Sequence, residues 1–143
     1  MGFDIIDDGL GIPESEFENL CRCYVERHEN QRYKEWSIGY RGEALCSLAR
    51  CSELKIITKF YRSNTGYEVL FNDNGDVIQV TPVEKTKQGT IVQVRNIHKS
   101  NKTIQMSYRK NRESHYNFCL TLMNDFSLIL KDITFILSNE FLK

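Results

Sequence analysis

The sequence of 143 residues lacks the features that mark membrane and secreted proteins. No apolar run approaches the roughly 20 residues that a membrane-spanning helix needs, and no signal peptide precedes the first strand-like segment. A net charge is also lacking, because 19 basic residues balance 19 acidic ones, so charge alone predicts no polyanionic partner. We therefore expect an intracellular protein, cytosolic or nuclear, of the size of one ordinary domain.

The cysteines lack the spacing of a disulfide framework or a zinc site. There are five of them, an odd number, and no two form a CxxC pair. This pattern favours reduced thiols. Cys21, Cys23 and His28 lie close together in the sequence, but no second ligand pair stands at zinc-finger spacing. The sequence therefore predicts no metal ligands.

Basic residues are concentrated in one stretch, from Arg95 to Arg112, which contains no acid. Its members are Arg95, Lys99, Lys102, Arg109, Lys110 and Arg112. Such a stretch can contact the phosphates of a nucleic acid, but a solvated face or loop is the commoner outcome. The composition leaves both interpretations open.

Hydrophobic periodicity predicts an α+β fold, with mostly antiparallel strands and helices packed on one side. The apolar run from Phe3 to Asp8 reads as a buried strand that ends in a glycine loop. Further strands are predicted from Glu53 to Tyr61, Gly66 to Asn72, Val77 to Val83, Thr90 to Arg95 and Asp132 to Ser138. Asp73-Asn74-Gly75-Asp76 predicts a hairpin turn, and Pro82 predicts that its strand lies at a sheet margin.

Helices are predicted in three places. The first begins at Pro13-Glu14-Ser15, where acidic residues suit a first turn, and the second begins near Gly42. The third is amphipathic and begins after Ser107. Its apolar face is formed by Cys119, Leu122, Met123, Phe126 and Leu130.

Asp7-Asp8-Gly9-Leu10-Gly11 is an acidic strand end followed by a Gly-x-Gly bend. A carboxylate at such a place can accept a hydrogen bond from an amine, such as the exocyclic amino group of adenine. The glycines let the backbone approach a flat ring. A simple strand-to-helix turn explains the same residues, so this motif alone leaves the function open.

SIGYRGEALCSLA, from Ser37 to Ala49, is a second candidate motif. If a helix begins near Gly42, its free backbone N–H groups and its dipole form an anion site. Gly39 and Gly42 let phosphate oxygens approach the main chain, Arg41 supplies a cation, and Glu43 caps the first turn. A glycine-rich helix start with a surface arginine is the alternative.

Gly89-Thr90, just ahead of the TIVQV strand, is the third piece. A threonine hydroxyl there suits the polar end of an adenine pocket, although an isolated Gly-Thr means little. The order of the three motifs along the chain is more informative than any one of them.

That order resembles the nucleotide-binding domain of the MutL family of DNA mismatch-repair ATPases, a branch of the GHKL group. IIDDGLGIP is similar to the family's D-N-G-x-G-I motif, and SIGYRGEALCSLA is similar to its G-F-R-G-E-A-L-A-S signature. GTIVQVRNI is similar to its G-T-x-V-x-V-x-x-L segment. FNDNGDVIQVTP, ahead of Gly89, is most similar to eukaryotic homologues of the PMS type. The resemblance covers nearly the whole chain.

The resemblance implies a Bergerat ATP-binding fold, with a mixed, largely antiparallel sheet and a helical layer on one face. Residues 1–130 would form a partial ATP-binding domain, incomplete at its N-terminus, and residues 131–143 the first strand of a following transducer domain. The implied ligands are ATP and Mg²⁺. The ATP-site residues carried over from the family are Asp7, Gly9, Gly11, Arg27, Gly39, Arg41, Gly42, Glu43 and Thr90.

The implied function is DNA mismatch repair, in which ATP binding gates dimerisation and partner exchange. The implied partners are another MutL homologue in a heterodimer and a MutS-type mismatch-recognition complex. DNA would be reached through that complex, no membrane is involved, and the implied compartment is the nucleus.

The sequence departs from the family in ways that limit the expected activity. The family's first motif, which carries the general-base Glu and the magnesium-binding Asn, would precede Met1, so no catalytic residue is assigned. Asp8 replaces the usual Asn. The lid motif falls near Arg27, without its usual Ser/Thr and Lys.

We therefore expect weak ATP binding and no hydrolysis by this chain. An incomplete fragment, a divergent homologue and a decayed pseudoenzyme of the same fold all explain these departures. An ATP-independent interaction or scaffold module is the alternative function.

Overall fold

In the part of the chain that the structure describes, five strands form one sheet in which every pairing is antiparallel. The computed structural model describes residues 1–22, 43–84 and 87–138. The strands are β1 Phe3–Asp7, β2 Glu53–Lys59, β3 Gly66–Phe71, β4 Val77–Val83 and β5 Gly89–Arg95. Their order in the sheet is β1-β5-β2-β3-β4. The predicted α+β fold with a largely antiparallel sheet is confirmed.

Two helical elements belong to the same unit of the structure, Met1–Ser100. A 3-10 helix spans Glu14–Asn19, with Pro13 in extended conformation at its N-cap. Helix α1 spans Glu43–Cys51. The helix predicted from Pro13 is therefore present, but within the described residues up to Arg22 it is a short 3-10 helix.

The core lies on one face of the sheet, against these two helical elements. Along β2, the side chains of Leu54, Ile56 and Thr58 are buried, whereas the residues between them are only partly so. Ile56 lies opposite Val69 of β3 on one side and Val92 of β5 on the other. The core cluster comprises Phe17, Leu20, Cys21, Ala49, Leu54, Ile56, Val69, Phe71 and Val94. This period-two burial is what one covered face produces.

Strand β1 is exposed along its whole length, so the prediction of a buried strand is wrong. Ile5 is 56% exposed and Ile6 is 71% exposed. Among the described residues, β1 is an edge strand that pairs only with β5, and the exposure of its side chains shows that no described element covers its faces. A short apolar run cannot by itself distinguish a central strand from an edge strand.

The hairpin between β3 and β4 is confirmed, and so is the marginal position of Pro82, since β4 is the other edge strand. The Asn72 side-chain oxygen accepts hydrogen bonds from the backbone N–H groups of Asn74 and Asp76, each at 2.9 Å. Gly75 has φ +85°, a conformation that glycine adopts without a steric penalty.

A second unit, Asn101–Lys143, contains α2 Lys102–Lys110 and α3 Arg112–Ile129. The Asn101 side chain caps α2 by accepting a hydrogen bond from Ile104 N at 3.0 Å. None of the residues 101–138 is buried. In the part of the chain that the structure describes, no helix is long and apolar enough to cross a membrane.

No strand forms over residues 132–138, although the sequence predicts one. An apolar segment becomes a strand only when another strand accepts its backbone hydrogen bonds, and this segment pairs with no described strand. The assignment of residues 1–130 and 131–143 to two domains stays a prediction.

The cysteines also differ in part from expectation. Cys21, Cys51 and Cys119 are free thiols, as predicted. Cys46 is disulfide-bonded. The expectation of reduced thiols throughout the chain is therefore wrong for Cys46, since sequence spacing does not report distance in the fold.

Asp4 on β1 forms an ion pair with Arg95 on β5. We expect this pair to make the stability of the fold depend on pH in the acid range. The Arg95 guanidinium donates to the Asp4 carboxylate and, at 3.1 Å, to the carbonyl of Phe3. The hydrogen bond and charge of Arg95 hold the pKa of Asp4 below its ordinary value. Because the pKa of Asp4 is lower in the folded state than in the unfolded state, the pair contributes to the free energy of unfolding. This contribution is fully present above the unfolded pKa, about 3.9, and is lost as the pH falls through the folded pKa.

We expect Asp4→Asn to be less stable than the wild type at neutral pH by about 0.5 kcal/mol, because the pair is partly exposed and screened. Urea midpoints measured across pH should converge as the pH falls below about 4. Asp8→Asn removes an exposed carboxylate without an ion pair among the described residues, and it is the control. A difference from the wild type that persists in acid contradicts the assignment.

Candidate nucleotide-binding site

The Asp7 carboxylate lies at the end of β1 and is held by two backbone amides. Its Oδ1 atom accepts hydrogen bonds from Gly9 N at 2.9 Å and from Thr90 N at 3.2 Å. Asp7 and Thr90 are register partners on β1 and β5, although 83 positions separate them in the sequence. Within the described part of the chain, Oδ2 receives no hydrogen bond. The carboxylate is therefore fixed in orientation and keeps one oxygen able to accept.

Two threonine hydroxyls, on β5 and β2, lie next to each other at this end of the sheet. Thr58 is the register partner of Thr90, and their Oγ1 atoms are 3.2 Å apart. Thr58 Oγ1 also lies 3.3 Å from the carbonyl oxygen of Gly89, and it accepts a hydrogen bond from Ile12 N at 2.9 Å. Both side chains are buried, Thr58 completely. The pair links the ends of two strands to the loop that follows β1.

The loop of residues 8–12 lies directly against the end of β2. Gly11 has φ +70°, and a Cβ at this position would lie 2.0 Å from the carbonyl oxygen of Lys59. The carbonyl of Leu10 accepts a hydrogen bond from Tyr61 N at 2.8 Å. No larger residue fits at position 11 without moving the loop, because both the space and the backbone conformation require glycine.

The two glycines of the Gly-x-Gly bend thus have different roles. A Cβ on Gly9 would meet only the Asp7 carboxylate, at 3.0 Å from Oδ1, and the Gly9 amide donates to that same oxygen. Gly9 therefore orients the carboxylate, whereas Gly11 allows the loop to approach β2.

Two residues of this site were not among the predicted ATP-site residues, although Gly89 belongs to the Gly-Thr pair noted in the sequence. Gly89 has φ +111°, and a Cβ there would lie 2.2 Å from the carbonyl oxygen of Asp7, so it permits the close approach of β5 to β1. Thr58 was also not predicted as a site residue, although the sequence contains a signal for it. It is the polar member of the inward-facing series Leu54, Ile56, Thr58, and a polar residue in a core position calls for a specific hydrogen-bond partner.

The phosphate half of the predicted site cannot be located in the same way. Arg27, Gly39, Arg41 and Gly42 lie outside the described residues. Glu43 is the first residue of α1 and is exposed. The structure therefore brings Asp7, Gly9, Gly11 and Thr90 together, and the roles of all predicted residues in binding ATP stay predictions.

The residues around Asp7 fit the chemistry of adenine. The exocyclic amine of adenine is a hydrogen-bond donor, and Asp7 Oδ2 is an acceptor on a fixed carboxylate. Magnesium finds no comparable support, because no group of three or more His, Cys, Asp or Glu side chains suited to a metal exists among residues 1–22, 43–84 and 87–138. We assign no step to the metal.

The basic stretch from Arg95 to Arg112 is divided between the two units. Arg95 pairs with Asp4, and Lys99 pairs with Asp73. Lys102, Arg109, Lys110 and Arg112 belong to the second unit. Two of the six cations thus already face carboxylates, which favours a solvated surface for that part of the stretch.

Known proteins are similar in sequence to this chain over nearly its whole length. The chain is 30% identical over 138 residues to the DNA mismatch repair protein MutL of Thermodesulfovibrio yellowstonii, an alignment that covers 92% of the chain and 24% of that protein. It is 27% identical over 149 residues to the human mismatch repair endonuclease PMS2, covering 97% of the chain and 17% of that protein. The chain belongs to the MutL/PMS family. It spans about a quarter or less of the length of these relatives.

Solved structures agree with membership of the MutL/PMS family at the level of fold. The N-terminal domain of a DNA repair protein superimposes with a TM-score of 0.71 at 24% identity, over 90% of this chain and 36% of that one. The ATPase domain of Aquifex aeolicus MutL, in complex with ADP, superimposes with a TM-score of 0.66 at 20% identity, over 91% of this chain and 44% of that one. No protein-family model matches the chain. The fold is that of the MutL ATPase domain, of the GHKL type.

Proposed function

We propose that this MutL/PMS-family chain binds ATP, with the adenine amine donating a hydrogen bond to Asp7 Oδ2. One observation carries the proposal: Oδ1 of the same carboxylate is held by Gly9 N and Thr90 N. A carboxylate that is already oriented loses little freedom when the ligand binds, and such preorganisation favours affinity. The ADP complex of the Aquifex aeolicus MutL domain, which has the same fold, supports this choice of ligand.

The roles of the other site residues follow from an adenine bound at Asp7. Gly11 keeps the loop against the end of β2, so one side of the base would meet a fixed loop. Thr90 supplies a hydroxyl, which lies 3.2 Å from that of Thr58. Gly39, Arg41, Gly42 and Glu43 would meet the phosphates, with Arg27 as an additional cation. Magnesium, when bound with ATP, neutralises phosphate charge. We expect binding without hydrolysis, because no described residue is assigned as the general base.

The wider role that we propose is DNA mismatch repair. Nucleotide binding would gate dimerisation with another MutL homologue and exchange with a MutS-type mismatch-recognition complex, through which DNA is reached. The relatives that support this role are named as mismatch-repair proteins from a bacterium and from humans. The eukaryotic relatives favour the nucleus as the compartment.

Isothermal titration with ATP and adenosine tests the proposal. Asp7→Ala should weaken binding by about 10- to 100-fold, because a hydrogen bond to a charged group contributes about 1.5–3 kcal/mol. Asp8→Ala removes the same charge one position away, on an exposed residue, and should bind with nearly wild-type affinity. Equal affinities for the wild type and Asp7→Ala, or no saturable binding by the wild type, would overturn the proposal.

An ATP-independent interaction module is the second candidate, and exposed apolar surface favours it. Ile5 and Ile6 are exposed on an edge strand, and such edges invite pairing with another chain. In α3, Phe118, Leu128 and Ile129 are more than two-thirds exposed, at 68%, 76% and 75%. This candidate predicts that the titration gives no heat with nucleotide, while sedimentation shows association that Ile6→Lys abolishes.

A further inference from the structure

We infer that the Thr58 hydroxyl is a positioning residue for the nucleobase end of the site, an inference that rests on the proposed function. Thr58 is fully buried in β2, where a hydroxyl needs hydrogen-bond partners to offset its desolvation. Its three neighbours are Ile12 N, Gly89 O and Thr90 Oγ1, all within 3.3 Å. Ile12 belongs to the loop that follows β1, and Gly89 and Thr90 begin β5.

The hydrogen-bond capacity of Thr58 accounts for these contacts. A threonine hydroxyl has one proton to donate and two lone pairs to accept with. Ile12 N donates to one lone pair, at 2.9 Å. The Thr58 proton goes either to the carbonyl of Gly89 or to Thr90 Oγ1, since a carbonyl can only accept. In the first arrangement the Thr90 proton goes to the second lone pair of Thr58. In the second, the Thr90 proton is free for a ligand acceptor.

This arrangement ties the Gly-x-Gly loop to the Asp7 carboxylate through one side chain. Ile12 directly follows Gly11, so its hydrogen bond to Thr58 holds the end of the loop. Thr90 contacts Thr58 through its hydroxyl and Asp7 through its backbone N–H. A shift of the Thr58 hydroxyl would therefore move both the loop that ends at Ile12 and Thr90, whose backbone N–H holds the Asp7 carboxylate.

Loss of the Thr58 hydroxyl removes the hydrogen-bond acceptor of Ile12 N. A valine at position 58 has nearly the same shape but cannot accept from Ile12 N or pair with Thr90. The Ile12 N–H then either stays unsatisfied or the loop moves to reach water, and both cost free energy. We expect Thr58→Val to weaken the binding of ATP and of adenosine by the same factor, about tenfold. The factor is the same because the contacts lie at the base and not at the phosphates.

The experiment compares four proteins by isothermal titration with adenosine and with ATP. The wild type and Thr58→Ser, which keeps the hydroxyl, should bind alike, and Thr58→Val should be about tenfold weaker for both ligands. Thr81→Val is the matched control, since Thr81 is a half-buried strand threonine that accepts a hydrogen bond from Gln79. It should bind like the wild type. A purely structural role lowers the binding stoichiometry through unfolded protein and leaves Kd unchanged.

A second measurement uses the wild type alone, in case Thr58→Val does not fold. Amide hydrogen exchange at Ile12 should slow when adenosine saturates the protein, whereas exchange at Asn74, in the distant β3–β4 turn, should not change. Unchanged exchange at Ile12, or equal Kd values for the wild type and Thr58→Val, overturns the Thr58 inference while the ATP proposal stands. Absence of nucleotide binding by the wild type overturns the ATP proposal first, and the inference with it.

Discussion

Replacing Ile56 with alanine is expected to lower the free energy of unfolding by about 2–5 kcal/mol. Ile56 is fully buried at the centre of the sheet, between Val69 of β3 and Val92 of β5. Removing three methyl or methylene groups there forfeits their transfer free energy and leaves a cavity that the neighbouring strands cannot fill. Urea denaturation followed by far-UV circular dichroism measures the change as a lower midpoint.

Ile57→Ala is the control for this prediction. Ile57 is the next residue of β2, has the same side chain and lies on the opposite face of the sheet, where it is only partly buried. Its replacement should cost about 1 kcal/mol, in the range of strand propensity. Equal losses for Ile56→Ala and Ile57→Ala would mean that the core does not lie on the face described above.

Replacing Gly11 with alanine is expected to destabilise the protein by about 2–5 kcal/mol and to abolish nucleotide binding. An alanine at φ +70° is strained by about 1–2 kcal/mol. Its Cβ would also lie 2.0 Å from the carbonyl oxygen of Lys59, and relief of such overlap costs about 1–3 kcal/mol. The loop must then leave the end of β2, which breaks the contact between Ile12 N and Thr58.

Gly9→Ala tests whether the two glycines differ as the geometry indicates. A Cβ at Gly9 meets only the Asp7 carboxylate, at 3.0 Å. We expect a loss of less than about 1 kcal/mol in stability. Thermal melts and adenosine titrations of the two variants measure both effects. If Gly9→Ala proves as unstable as Gly11→Ala, the loop does not approach β2 in the way described.

Several parts of the fold could be predicted because local chemistry decides them. The Asn-Gly turn and the alternating strands on either side of it require no information from the rest of the chain. Pro82, which has no backbone N–H to donate, correctly placed β4 at a sheet edge. The motif order around Asp7 and Thr90 identified the family, which the relatives confirm.

Other parts failed because their outcome depends on distant segments. The run from Phe3 to Asp7 has the composition of a buried strand, yet it forms an exposed edge strand, since burial depends on which elements pack over the faces of the strand. Residues 132–138 have strand propensity but no described partner strand. Cys46 shows the same limit, because a disulfide depends on a spatial approach that spacing does not reveal.

By itself, the sequence of this protein determined its family and its α+β class, and it predicted the residue types that would face a nucleotide. Only the tertiary structure decided which Asp7 oxygen is held, which glycine is sterically required and that Thr58 joins the loop to Thr90. The reason is strand register. Antiparallel pairing brings Asp7, Thr58 and Thr90 to neighbouring positions, and no local pattern records an adjacency between residues so far apart in the chain.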